Sequence, residues 1–200
     1  MSSMTDIREC NRRAVDYSAE IVSRVTADDL DRPTPCAAWK LSDLLAHMTV
    51  QHRGFAAAAR GRGGDPAVWQ PAPLADDPIA DYRDAAADVL AAFTEKGVPE
   101  RDFAMAEFGP DVTVPGQQAI GFHFIDYVVH GWDVARTLGF DYHLADDLAE
   151  PALEIALAVP DNEVRLAPGA PFAPAVRAGE SATALDRILA ALGRSPQWPN

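Results

Sequence analysis

The sequence predicts an all-α fold, a four-helix bundle with additional short helices and loops. Three observations carry that expectation. Long segments repeat apolar residues at alternating steps of three and four. Proline and glycine clusters separate them. A single short alternating run, Val112-Thr-Val114, is all that speaks for a strand.

The elements follow in order. From Thr5 as N-cap, Ile7, Cys10, Ala14, Tyr17 and Ile21 form the apolar stripe of a first helix running to about Val25. Pro33 and Pro35 then force a loop that leads into Trp39. A second helix spans about Leu41 to Ala59 on Leu41, Leu44, Leu45, Met48 and Phe55, with His47 at the edge of the stripe and Gly61-Arg-Gly-Gly64 as the stop. The third starts at Asp77-Pro78, a cap followed by proline at the first helical position, and runs to Gly97. Residues 98 to 115 read as loop around the short strand. A long fourth helix is expected from about Gly116 to Leu138, closed by Gly139. Asp146 to Val159 reads as a fifth helix despite Pro151, residues 160 to 179 as irregular, and a last helix is capped by Ser181 and ended by Gly193.

Composition narrows the class. The 200 residues, 48% hydrophobic and 24% charged, are expected to form one domain over residues 1–200. A formal net charge of −13 repels nucleic-acid phosphates, so no nucleic-acid partner is expected. Cys10 and Cys36 stand far apart, which suits a reducing compartment and suggests neither a disulfide framework nor a zinc-thiolate site. The N-terminus shows charged residues before any apolar run and no segment approaches a membrane span, so the cytoplasm is the expected location and no membrane partner is expected. A homo-oligomer is compatible with all of this.

Chemistry concentrates on the fourth helix. In Gly121-Phe-His-Phe-Ile-Asp-Tyr-Val-Val-His-Gly-Trp-Asp133, helical geometry lays His123, Asp126, His130 and Asp133 along one stripe. Asp126 and His130, four apart, are able to share one metal ion, with His47 from the second helix as third ligand. From periodicity alone, such a pair is more often a hydrogen-bonded ion pair. His123 reads as a fourth ligand, a proton shuttle or a hydrogen-bonded wall residue, and Asp133 as a group behind a ligand or as the partner of Arg136. His52, five positions after His47, points roughly 140° away around the helix and is expected at the surface. Trp39, Trp132 and Trp198 are expected to anchor packing. No nucleophile elbow, P-loop or dinucleotide fingerprint is present, and the spacing of Gly61-Arg-Gly-Gly64 fits no nucleotide motif.

These motifs recur together in an order that resembles a known family. Pro35-Cys-Ala-Ala-Trp39 with Asp43-Leu-Leu-Ala-His-Met48, Phe108-Gly-Pro110 with Val114-Pro-Gly116, Asp126-Tyr-Val-Val-His-Gly-Trp-Asp-Val-Ala-Arg136, and Arg187-Ile-Leu-Ala-Ala-Leu-Gly-Arg-Ser-Pro-Gln-Trp198 resemble the actinobacterial family related to the metal-binding domain of mycothiol-dependent maleylpyruvate isomerase. The resemblance implies a DinB-like four-helix bundle and a metal held by His47, Asp126 and His130. It departs at Asp126, where the isomerase has glutamate, and in the lack of the isomerase's additional C-terminal domain. Metal identity and the isomerisation itself therefore transfer less directly than fold and site.

The expected function is a metal-dependent, thiol-utilising transferase or isomerase acting on a small molecule, with a mycothiol-type thiol as thiolate in an open coordination position. Zinc suits the ligand set, and nickel, iron or manganese fit the same donors. The alternative is a non-catalytic metal-containing helical module that binds a small molecule or a protein partner.

Overall fold

The computed structural model describes residues 6–36, 39–167 and 172–199. Four long helices dominate: α1 (Ile7–Val22), α2 (Leu41–Ala59), α3 (Pro78–Thr94) and α4 (Gly116–Leu138), followed by α5 (Asp146–Ala158) and the short α6 (Ala184–Ala191). Among the described residues the bundle is all-α except for one hairpin, in which β1 (Asp102–Ala104) pairs antiparallel with β2 (Thr113–Pro115) and Phe103 lies opposite Val114.

Local chemistry explains the boundaries. Asp6, directly before α1, caps it by accepting the Arg8 N–H at 3.0 Å, whereas Thr5, the expected cap, lies outside the described residues. The helix stops at Val22, short of Val25. Thr26 and Asp29 start a separate 3-10 turn there, with the Asp29 carboxylate accepting from the Thr26 N–H and hydroxyl. Asp77 caps α3 through the Ala80 N–H, with Pro78 at the first position, and the backbone becomes extended at Glu95, before Gly97. Gly139 adopts φ +81°, the left-handed turn that ends α4. The cap of α6 is Thr183 and not Ser181. Thr183 has Asp186 three residues on, so hydroxyl and carboxylate satisfy each other's backbone N–H, and Ser181 has only Ala184 at that spacing.

The core consists of two clusters, and α4 contributes to both. On one side it joins α1, α2, α5 and α6 through Val15, Leu44, Met48, Phe124, Val128 and Leu189; on the other, α2, α3 and the hairpin close over Phe55, Phe93, Phe103 and Ile120. As a result α2 is buried on two faces, against both α3 and α4. The irregular segment after α5 is pinned by Arg165, which is buried and donates to the carbonyls of Val159, Pro160, Ala173 and Ala191. No helix among the described residues is long and apolar enough to cross a membrane.

One packing point is tight enough to test. A Cβ at Gly54 would lie 2.3 Å from the ring of Trp69, which is buried and held by its indole N–H on the Gly63 carbonyl at 2.9 Å. Gly54→Ala is expected to lower stability by about 1–3 kcal/mol through this overpacking. Urea denaturation followed by tryptophan emission measures it, and an unchanged midpoint would show that Trp69 has room to move.

Candidate metal centre

α2 and α4 run antiparallel side by side, so that His47 meets Asp126 and His130 while His52, further along α2, meets His123, earlier on α4. Between the two levels the Tyr127 hydroxyl donates to the Met48 carbonyl and ties the helices together. The i,i+4 spacing of Asp126 and His130 aims both side chains at α2, where His47 faces them.

One ligand atom from each of His47, Asp126 and His130 lies within 4.8 Å of the other two. His130 Nε2 is 3.3 Å from Asp126 Oδ1. That is longer than a charge-assisted N–H···O bond, about 2.7–2.9 Å. It is close to the roughly 3.4 Å between two ligands in a tetrahedron with bonds of about 2.1 Å. The other Asp126 oxygen, Oδ2, is buried without a hydrogen-bond partner, a costly state for a carboxylate unless a cation or a donor meets it. These residues fit a divalent cation.

Electrostatics agree with the geometry. Burial, reinforced by the positive charge of His130, lowers the His47 pKa to about 4, so its imidazole is neutral with a lone pair available at neutral pH. Burial disfavours charge on His130 and Asp126 as well, but each outweighs it for the other: the His130 pKa is raised and the Asp126 pKa lowered. Without a metal the two form a buried ion pair, in which the second imidazole proton occupies the place a cation would take.

The surroundings close the site. Trp39 lies beside His47, with ring centroids 4.7 Å apart and the rings tilted by 43°, and 6.3 Å from the His130 ring. One turn after His47, the buried Gln51 donates to the Glu107 carboxylate, which reaches in from the hairpin connection. Glu107 is exposed as a residue, but partial burial of its carboxylate against Gln51 pushes its pKa up to about 7, opposed by that hydrogen bond and reinforced by the negative charge of Asp126. Behind His130, Asp133 Oδ2 accepts from Nδ1 at 2.9 Å, as a carboxylate does behind a metal-bound imidazole.

Other expectations are redrawn. Asp133 pairs with His130 and with Arg194, at 3.2 Å, and not with Arg136, which donates to the Trp198 carbonyl. His123 lies outside the three-residue cluster: it hydrogen-bonds Asn11 Oδ1 at 2.7 Å and His52 Nδ1 at 3.1 Å. His52, expected at the surface, is 0% exposed and stacks on Tyr127 with centroids 3.9 Å apart. The angular argument assumed one buried face for α2, and α2 has two. Gln51, Glu107 and Arg194 gave no signal by spacing; only Arg194 stood in a recognised motif, the tail segment. Both cysteines are free, with Cys10 buried. Trp132 is buried as a packing anchor, and Trp39 serves the site as well as the packing.

Comparison with known proteins agrees with this architecture. Residues 11–135 match the family model described as "Mycothiol maleylpyruvate isomerase N-terminal domain". Two proteins of Mycobacterium tuberculosis, "Uncharacterized protein Rv0738" of strain H37Rv and "Uncharacterized protein MT0763" of strain CDC 1551, are each 31% identical over 192 residues, covering 92% of this chain and 96% of theirs. Among solved structures, a crystal structure of a histidine-to-alanine mutant of mycothiol-dependent maleylpyruvate isomerase superposes with a TM-score of 0.60 at 14% identity, over 76% of this chain and 67% of that one. The fold is therefore that of the isomerase's helical bundle. By the extent of the family match and of these relatives, the chain belongs to the mycothiol maleylpyruvate isomerase N-terminal domain family.

Proposed function

We propose that this chain is a cytoplasmic divalent-metal protein, with zinc as the best-suited ion, that uses a low-molecular-weight thiol of the mycothiol type in a transferase or isomerase reaction on a small molecule. The single observation that carries the reading is the convergence of His47, Asp126 and His130, two neutral-capable imidazoles and a carboxylate with an unpartnered oxygen, in a family whose description names mycothiol. Three protein ligands are the number that leaves a position open for a reactant.

A divalent ion in this place supplies Lewis acidity, which favours the thiolate form of a thiol at neutral pH. The chain's own groups do the rest. Asp126 contributes negative charge, and His47 and His130 contribute neutral imidazole nitrogens. Trp39 covers one side and limits water. Glu107, with its pKa about 7, is poised to accept the proton that the thiol gives up and to return it later. Asp133 fixes the ring of His130 through Nδ1.

Cobalt(II) substitution tests the reading, because the visible spectrum reports directly on the ligands. Adding mycothiol to the cobalt-loaded protein is expected to change the spectrum, to release protons, and to do neither in His47→Ala. An unchanged spectrum at saturating thiol would discard thiol ligation and leave a non-catalytic metal-containing module as the better description.

A further inference from the structure

The tail after α6 reaches the candidate metal centre through one side chain. Gly193 turns the chain with φ +78°, and a Cβ there would lie 2.6 Å from the Ala173 carbonyl oxygen, so this turn requires glycine for both its conformation and its clearance. The turn delivers Arg194 into the interior, where the residue is 3% exposed. Nη1 donates to the Leu192 carbonyl at 2.9 Å; Nη2 donates to Asp133 Oδ2 at 3.2 Å and lies 3.5 Å from Cys36 Sγ. The guanidinium also sits over the Phe172 ring, 5.7 Å from its centroid. One guanidinium thus joins the Pro35-Cys36 loop, the end of the α4 stripe and the tail.

The Asp133 oxygen held by Arg194 is the same one that meets His130 Nδ1, at 2.9 Å. Asp133 is 0% exposed, so its charge needs a permanent counter-charge, and an arginine supplies one at every accessible pH. An ionised carboxylate only accepts hydrogen bonds, so the proton between it and the imidazole belongs to Nδ1. Nε2 is then the atom turned to Asp126 and His47. Without the guanidinium, nothing in the tail would hold the Asp133 carboxylate against Nδ1.

We infer that Arg194 is a positioning residue for the site. Through Asp133 it holds His130 with the proton on Nδ1 and the Nε2 lone pair presented to a divalent cation. The inference rests on the metal reading above for its purpose, but the lock itself is a property of the chain's own hydrogen bonds.

The test compares wild type with Arg194→Met and Arg194→Lys in two readouts. Zinc affinity, by competition with a chromophoric chelator, is expected to fall about 10–100-fold in Arg194→Met, as for other groups behind a metal ligand, and to recover most of that loss in Arg194→Lys. The Nδ1 proton of His130, followed by nitrogen-15 NMR in the metal-free protein, is expected to be protected from exchange in wild type and Arg194→Lys and to exchange faster in Arg194→Met, where Asp133 is no longer held against it. A folded Arg194→Met that binds zinc within two-fold of wild type overturns the inference. So does zinc-loaded wild type with its His130 proton on Nε2, a measurement that stands even where Arg194→Met does not fold. If wild type binds no zinc while the Nδ1 proton still depends on Arg194, the metal reading fails and the lock is upheld.

Discussion

His130→Ala is expected to abolish zinc retention and to destabilise the chain by about 3–5 kcal/mol, the cost of breaking a buried ion pair from one side. Asp126 is left with one oxygen already unpartnered and with its nearest counter-charge gone. For a chain of this length the loss corresponds to a fall in Tm of roughly 10 °C, at about 2–4 °C per kcal/mol. The double variant Asp126→Asn with His130→Ala separates the two effects: removing the stranded charge is expected to restore part of the stability and none of the zinc. Metal analysis after dialysis and thermal unfolding read both quantities. Full zinc retention by His130→Ala would remove His130 from the ligand set.

The second large effect is acid sensitivity from the His52–His123 pair. Asn11 Oδ1 accepts from His123 Nδ1, and His123 Nε2 then accepts from His52 Nδ1, which leaves His52 Nε2 buried with no partner. In this chain of hydrogen bonds both rings are neutral. Burial holds the His123 pKa down to about 3, and it holds His52 far below the ordinary value, with the neighbouring His123 adding to it. Between those values and 6.5 the unfolded chain binds the proton and the folded chain does not. Their contribution is therefore complete above about pH 6.5 and is lost as pH falls, at about 1.4 kcal/mol per pH unit for each histidine.

His52→Phe keeps a ring against Tyr127 and removes one of the two titrating groups. In the metal-free protein, its stability between pH 6 and pH 4.5 is expected to fall less steeply than that of wild type, by about 1.4 kcal/mol per pH unit. His47, whose pKa is also lowered, titrates in both proteins and cancels from the difference. Urea denaturation across this pH range gives the two slopes, and parallel slopes would mean that His52 takes up its proton in the folded state. Because His52 lies outside the ligand cluster, zinc content at neutral pH is expected to be unchanged.

The bundle was legible because its signals are local. Proline and a capping aspartate open α3, glycine closes α4, and three-and-four spacing marks each buried face, so α2 and α4 fall where the pattern places them. The ends that moved were settled by reciprocal side-chain caps: Asp29 with Thr26 after α1, and Asp186 with Thr183 before α6. Pairing across the hairpin is a long-range event, and the alternation at Val112-Thr-Val114 could show only one of its two strands.

For the site, helical spacing lays His123, Asp126, His130 and Asp133 on one stripe, the pattern of α2 offers His47 as the third ligand, and family resemblance selects His47, Asp126 and His130 as the set. Spacing along one helix says nothing of what packs against its other side. For that reason spacing puts His52 at the surface and leaves Asp133 open between a place behind a ligand and a pairing with Arg136; the structure has it behind His130, held by a guanidinium 61 residues further along the chain. Glu107 was unreadable for the same reason, since its partner Gln51 lies 56 residues away on another element.

Anomalous diffraction at the zinc edge from crystals grown with zinc tests the central claim most directly, because it locates the ion without reference to activity. The expected result is one strong peak about 2.0–2.2 Å from a nitrogen of His47, an oxygen of Asp126 and Nε2 of His130. A zinc peak bound elsewhere, or none between α2 and α4 while His130 and Asp126 stay paired with each other, would contradict it.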